Sequence, residues 1–193
     1  TAATVTVRNG DVGDRDTWRG AMDGVDNVFH LAAHEHKHGA EFNPALDLNV
    51  NTFSVLHMLE ECRERGLSPR MIFASATSVT GLAPTIPVDE LVPDNPLTTF
   101  AINKIAAERY LQYYAREFHM QTVTLRLANV YGPAPDHDIS RRVVINKIVT
   151  KATRGEPLTV FENRSCIRDY AYIDDVVAAF LTAGIKEEVL TGQ

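Results

Sequence analysis

The stretch "VDNVFHLAA", residues 25–33, decides the fold. Its apolar run is continuous and bounded by polar residues. A strand with one wet face alternates apolar and polar, whereas a run of this kind marks a strand covered on both faces. Such a sheet needs helices above and below it, and the flanking sequence supplies them.

Upstream, "TVTVRN" (residues 4–9) alternates and is β-branched, so it reads as a strand; "GDVGD" is a turn, and "RDTWRGAMDG" a short helix closed by Gly24. Downstream, residues 43–66 predict a helix that Asn43 caps, Pro44 opens and Gly66 ends. "RMIFASA" (70–76) is a second buried strand. Residues 80–98 hold Pro84, Pro87, Pro93 and Pro96 and form a long loop, a length that suggests function. Thr98 or Thr99 caps a helix that carries Lys104 and runs to about Phe118. "QTVTLRLA" is a strand and "NVYGPAPDHD" a loop. Residues 140–154 read as a helix, "LTVF" as a short strand, and "YIDDVVAAFLTAG" as a helix capped by Asp174. This alternation of strand and helix predicts one α/β domain over residues 1–193, a doubly wound parallel sheet with helices on both faces.

Composition narrows the function. Of 193 residues, 45% are hydrophobic and 23% charged, with a net charge of −6, which describes a globular chain without a nucleic-acid-binding patch. No apolar run approaches a membrane span and no signal peptide is visible. Cys62 and Cys166 are far apart in predicted helix and strand and read as two reduced thiols of a cytoplasmic protein.

Ligands of open parallel sheets bind beyond the carboxyl ends of the strands. That rule selects Gly10-Asp11, His30 to His34, Ala74 to Thr77, and Ala128 to Tyr131. Small residues at Ala32, Ala33 and Ala74 would let a ligand approach the backbone; equally, they would let helices pack on strands.

Taken together, "GDVGD", "VFHLAA", "LDLNVNTFSVL", "FASATSVTG", "FAINKIAAE", "LRLANVYGP" and "RDYAYIDDV" resemble, in order and spacing, the extended short-chain dehydrogenase/reductases, in particular the NAD-dependent nucleotide-sugar epimerases and dehydratases. The resemblance runs from about Val5 to Gly184. It implies NAD or NADP as cofactor and a nucleotide sugar as substrate. Asp11 and Val12 then correspond to the pair at the adenine. Leu31, Ala32, Ala33, Ala74 and Ser75 correspond to strand ends along the dinucleotide, and Asn49 to an asparagine behind the site. Lys104 corresponds to the lysine that holds the nicotinamide ribose and lowers the pKa of a phenol beside it. On the substrate side, to which residues 129–193 contribute, His34, Asn129 and Arg168 are implied. The helices at 44–65 and 99–118 resemble the pair through which family members form homodimers.

Three departures shape the expectation. The glycine-rich dinucleotide fingerprint is absent, so in this alignment the chain begins near the third strand and is expected to be a fragment. Phe100 stands where the family has a tyrosine, four residues before Lys104 and therefore on the same helix face. Ala76 stands where the family has a serine or threonine, with Thr77 the nearest hydroxyl that a turn could redirect into its place. A positioned general base contributes roughly 10²–10⁴ in rate, so a weakly active or inactive chain is expected, or one whose acid/base comes from elsewhere. "HEHKH", His34 to His38, reads as a solvated loop; the sharper alternative lets His34 or Glu35 reach the sugar. The rival function is a non-catalytic dinucleotide- or sugar-binding protein with a regulatory or structural role.

Overall fold

The computed structural model describes residues 3–34, 43–133, 144–159 and 167–185. Helix α1 (Arg15–Ala21) starts at Asp14, whose carboxylate accepts from the Asp16 amide, and leads into strand β1 (Asn27–His30). Helix α2 (Pro44–Leu48) is capped by Asn43, whose side chain accepts from the Leu46 amide. It continues through a π-helical segment (Asn49–Phe53) into α3 (Ser54–Arg65), which Gly66 closes in the left-handed conformation at φ 63°. The predicted helix over 43–66 thus contains one wider turn, a feature that hydrophobic spacing does not reveal.

Strand β2 (Arg70–Ala76) ends in a 3₁₀ turn (Thr77–Thr80), and the loop beyond it reaches α4 (Thr99–Phe118). Thr98 is the cap, its hydroxyl accepting from the Ala101 amide. Strands β3 (Thr122–Leu127) and β4 (Asn129–Tyr131), helix α5 (Val144–Thr153), strand β5 (Tyr170–Tyr172) and helix α6 (Ile173–Ile185) complete the described residues.

The strands form a three-stranded parallel sheet, order β1-β2-β3, and a two-stranded parallel sheet of β4 and β5. Side chains of β2 alternate between two cores, as a strand covered on both faces requires. Met71 and Phe73 pack with Val55, Met58, Leu59, Ala107 and Leu111 of α3 and α4. Ile72 packs with Val123, Phe180 and Ala183, the last two from α6. The Rossmann-like layering of helices on both faces is therefore present.

Several local expectations are corrected. Residues 4–9 form no strand and pair with no described strand; a β-branched alternation makes a strand only where a neighbour takes its hydrogen bonds. Asn129–Tyr131, expected as loop, pairs with Tyr170–Tyr172. Asp174 lies in the first turn of α6, not at its cap. Leu158 and Thr159 are irregular, and the rest of "LTVF" lies outside the described residues, as do Cys166 and the segment from Glu35 to His38.

Candidate active site

Because β1 and β2 run parallel, their exits lie on one edge of the sheet. Lys104 meets that edge. Its ammonium donates to the Ala74 carbonyl at 2.8 Å and lies 4.5 Å from the Phe73 ring centroid and 5.6 Å from that of Phe100. The residue is 2% exposed. Burial pulls its pKa down to about 8, opposed by the charges of Asp47 and Glu108. Only one of its three donors is used among the described residues.

Beyond β1, Leu31 and Ala33 are exposed and Ala32 and His34 half-buried. Asn51 grips His34 by both backbone groups: it donates to the carbonyl at 2.6 Å and accepts from the amide at 3.2 Å. Asn49 lies against the preceding turn, where a Cβ added to Gly13 would fall 2.0 Å from its Nδ2. In that turn the Asp11 carboxylate accepts from the Gly13 amide at 2.8 Å, and Trp18 donates to the Val12 carbonyl at 2.8 Å.

Beyond β2, Thr77 is exposed and Ala76 half-buried. Ser75 is buried on the other side of the strand from Ala74 and Ala76, its hydroxyl donating to Glu108. Asn129 is exposed and donates to the Asp169 carbonyl at 2.9 Å; Arg168, also exposed, precedes Asp169 in sequence. The structure thus joins Asn49 to the Asp11–Gly13 turn, His34 to the π-helical segment, and Lys104 with Phe100 to β2. It leaves Arg168 away from Lys104's contacts.

Sequence reading missed the buried polar residues that support this edge. Asp47 accepts from Asn51 at 2.7 Å, Asn103 at 2.8 Å and Thr99 at 3.1 Å. Arg126 binds Glu108 at 2.6 Å and Asp94 at 2.7 Å. The i, i+4 spacing of Asp47 and Asn51 is a readable signal; the other partners are too distant in sequence to be paired without a fold. Among the described residues no group of three metal-ligating side chains occurs, and no helix is long and apolar enough to cross a membrane.

A lysine buried at the carboxyl edge of a parallel sheet, four residues after an aromatic ring, fits the motif order seen in the sequence. The family model for "NAD dependent epimerase/dehydratase family" matches residues 1–190. The chain belongs to the NAD-dependent epimerase/dehydratase family. A UDP-glucose 4-epimerase of Mycolicibacterium smegmatis is 34% identical over 158 residues, 81% of this chain and 50% of that one. UDP-glucuronate 4-epimerase 5 of Arabidopsis thaliana is 32% identical, over 97% of this chain and 44% of its own. Among solved structures, the Thermotoga maritima UDP-glucose 4-epimerase with UDP-glucose superposes at a TM-score of 0.80 with 31% identity, covering 92% of this chain and 58% of that one. The Thermus thermophilus UDP-glucose 4-epimerase in complex with NAD gives 0.76 with 29% identity, covering 95% and 63%. The chain of this epimerase/dehydratase family member thus spans about half the length of the curated relatives it matches.

The expectation of a weakly active or inactive chain is corrected. It rested on lost hydroxyls at Phe100 and Ala76. Tyr114, Ser54 and Thr99 are intact and hydrogen-bonded in the structure. Tyr114 donates to Glu60, Ser54 donates to the Val50 carbonyl at 2.5 Å and faces His30 at 3.0 Å, and Thr99 donates to Asp47. Proton-bearing groups are present on the helices α3 and α4, so two residue identities do not establish a disabled site.

Proposed function

We propose that the protein carrying this chain is an NAD(P)-dependent epimerase or dehydratase of nucleotide sugars, with UDP-hexoses as the first substrates to test. The observation that carries this reading is Lys104, buried at the strand edge with donors unspent among the described residues, in a chain whose relatives are named as UDP-sugar 4-epimerases. The residues fit a dinucleotide: besides Lys104, the buried Nδ1 of His34 has no hydrogen-bond partner among the described residues, and the chain at Leu31 and Ala33 is exposed, so a ligand can approach it closely. The cofactor, when bound, would supply a reversible hydride acceptor.

This chain's residues would do the rest. Lys104 would hold the nicotinamide ribose by its free donors, and its charge would favour loss of a proton from a nearby hydroxyl. Asp11, Val12 and Asn49 would line the adenosine half. Leu31, Ala32, Ala33, Ala74 and Ser75 would supply the wall along the dinucleotide, Ser75 through its backbone. Thr77 and His34 would face the sugar, and Asn129 with Arg168 would bind the diphosphate, a task suited to the guanidinium fork.

The partner most consistent with the surface is a second copy. Ala106, Arg109, Tyr110 and Tyr113 of α4 line an open groove, and Phe53 and Phe118 are also exposed.

The test uses the complete protein with UDP-glucose, UDP-galactose and UDP-glucuronate, following product by chromatography and reduced nicotinamide by absorbance. Conversion of at least one sugar, lost in Lys104→Ala, is expected. No conversion of any sugar together with no measurable NAD or NADP binding would overturn the reading.

A further inference from the structure

We propose that Asp47 and Asn51 are a positioning pair for the dinucleotide: the Asp47 carboxylate fixes the amide of Asn51, and Asn51 fixes the backbone of His34 beyond β1. The inference rests on the function proposed above and adds residues that the family motifs did not single out.

The argument begins with burial. Asp47 is 1% exposed and Asn51 fully buried. A buried carboxylate must have its lone pairs met. Asp47 meets them with Asn51 and Asn103 on Oδ1 and Thr99 on Oδ2.

An ionised carboxylate only accepts, so it sets the orientation of the Asn51 amide. The NH₂ group of Asn51 must face two acceptors, Asp47 Oδ1 at 2.7 Å and the His34 carbonyl at 2.6 Å. Its oxygen is then left to the His34 amide at 3.2 Å. Flipping the amide would set oxygen against oxygen twice. The orientation of a side chain thereby dictates where one peptide of the β1 exit lies.

The same carboxylate acts on the second element of the site. Thr99 and Asn103 are in the first turns of α4, directly before Lys104. Thr52, next to Asn51, donates to the Asn103 carbonyl at 3.0 Å and ties the π-helical segment to α4 again. π-helical turns recur at functional sites because they redirect side chains out of α-helical register. Here the segment sends Asn49 to the Gly13 turn and Asn51 to His34. One buried acid therefore couples the strand exit along the dinucleotide to the helix that presents Lys104. Geometric errors of about 1 Å at such a site can cost roughly a hundredfold.

The experiment compares the complete wild-type protein with Asn51→Leu and Asp47→Asn. Titration measures NAD, NADP and UDP binding; hydrogen exchange reads the backbone from Leu31 to His34; thermal unfolding reports folding. Asn51→Leu is expected to weaken dinucleotide binding by about tenfold or more, with UDP affinity within about twofold of wild type and faster exchange at His34. Asp47→Asn keeps an acceptor for Asn51 but cannot satisfy all three donors, so its effect should be intermediate. Faster exchange with unchanged dinucleotide affinity would overturn the pair's role, as would equal weakening of UDP and dinucleotide. If wild type binds neither dinucleotide, the proposed function fails instead, a different result. Should Asn51→Leu not fold, Asp47→Asn decides the matter on the same readouts.

Discussion

The Lys104 ammonium lies over the face of Phe73, 4.5 Å from the ring centroid, while donating to the carbonyl of the next residue in the strand, Ala74. A cation held between an aromatic face and one carbonyl has lost most of its water, and this lowers its pKa to about 8.

The first prediction concerns that charge. A lysine whose folded pKa is about 8, against 10.5 when free, keeps its proton below pH 8 in the fold and loses it above. Between those values the unfolded chain binds more protons, so this group's contribution makes the fold more stable as pH rises from about 8 to 10.5. A ribose grip that uses the ammonium should weaken over the same rise. NAD or NADP affinity of the complete protein should therefore fall above pH 8, and Lys104→Met should be weak at all pH values. Calorimetric titration across pH 7 to 10 checks this; a flat wild-type profile contradicts it.

The second concerns His30, buried against Trp18 at 5.5 Å between ring centroids and facing Ser54. Burial, and secondarily Lys104, pulls its pKa from 6.5 to about 4. The unfolded chain takes up the proton first, so stability falls as pH drops from about 6.5 to 4, by about 3 kcal/mol at most. Below pH 4 this contribution is flat. His30→Phe should remove this part of the slope in denaturant titrations at pH 7, 5.5 and 4. An unchanged slope would show that other groups carry the acid sensitivity.

The layered sheet was legible because β2 is covered on both faces, so its apolar run is continuous and needs no partner to interpret; β1 departs from the same expectation, since Phe29 is 39% exposed and only His30 of its four residues is buried. The caps at Asn43 and Gly66 were legible because capping chemistry is local, and the α4 cap was legible to within Thr98 or Thr99, of which the structure uses Thr98. Pairing of Asn129–Tyr131 with Tyr170–Tyr172 was not, since neither short segment has a strand pattern of its own. Family motifs pointed to Lys104 and Asn49, whereas the clamp on His34 depends on a π-helical turn and an oriented amide, which exist only once four segments are packed. Residue identities at positions 76 and 100 suggest lost chemistry, although hydroxyl groups on α3 and α4 are retained.

The third prediction concerns Gly81, which closes the turn after β2 at φ 59° and ψ −131°, a region almost confined to glycine. A Cβ there would fall 2.0 Å from the Asn95 carbonyl oxygen, a backbone atom that cannot swing away. Asn95 is itself held, its amide donating to the Val79 carbonyl at 2.9 Å. Gly81→Ala should cost more than about 2 kcal/mol, strain and steric clash combined. It should also displace the loop that returns to α4. Denaturant midpoints give the energy, and proteolysis between residues 82 and 97 should accelerate.

The fourth concerns Arg126, whose guanidinium bridges Glu108 at 2.6 Å and Asp94 at 2.7 Å. Glu108 is buried and also accepts from Ser75, whereas Asp94 is shared with the exposed Arg109. The two carboxylates are therefore unequal. Arg126→Met leaves Glu108 buried without its cation, and breaking such a pair costs about 3 kcal/mol, discounted to about 2 because the arginine is partly exposed. Asp94→Asn leaves Arg126 on Glu108 and should cost less than about 1 kcal/mol. Glu108→Gln removes the buried charge but leaves an oxygen for Ser75, so it should fall between them. The order Arg126→Met, Glu108→Gln, Asp94→Asn, read from urea midpoints at constant slope, is the expected outcome. If Asp94→Asn is the costliest, the loop anchor and not the buried pair dominates, and the energetic centre of this network lies at the protein surface.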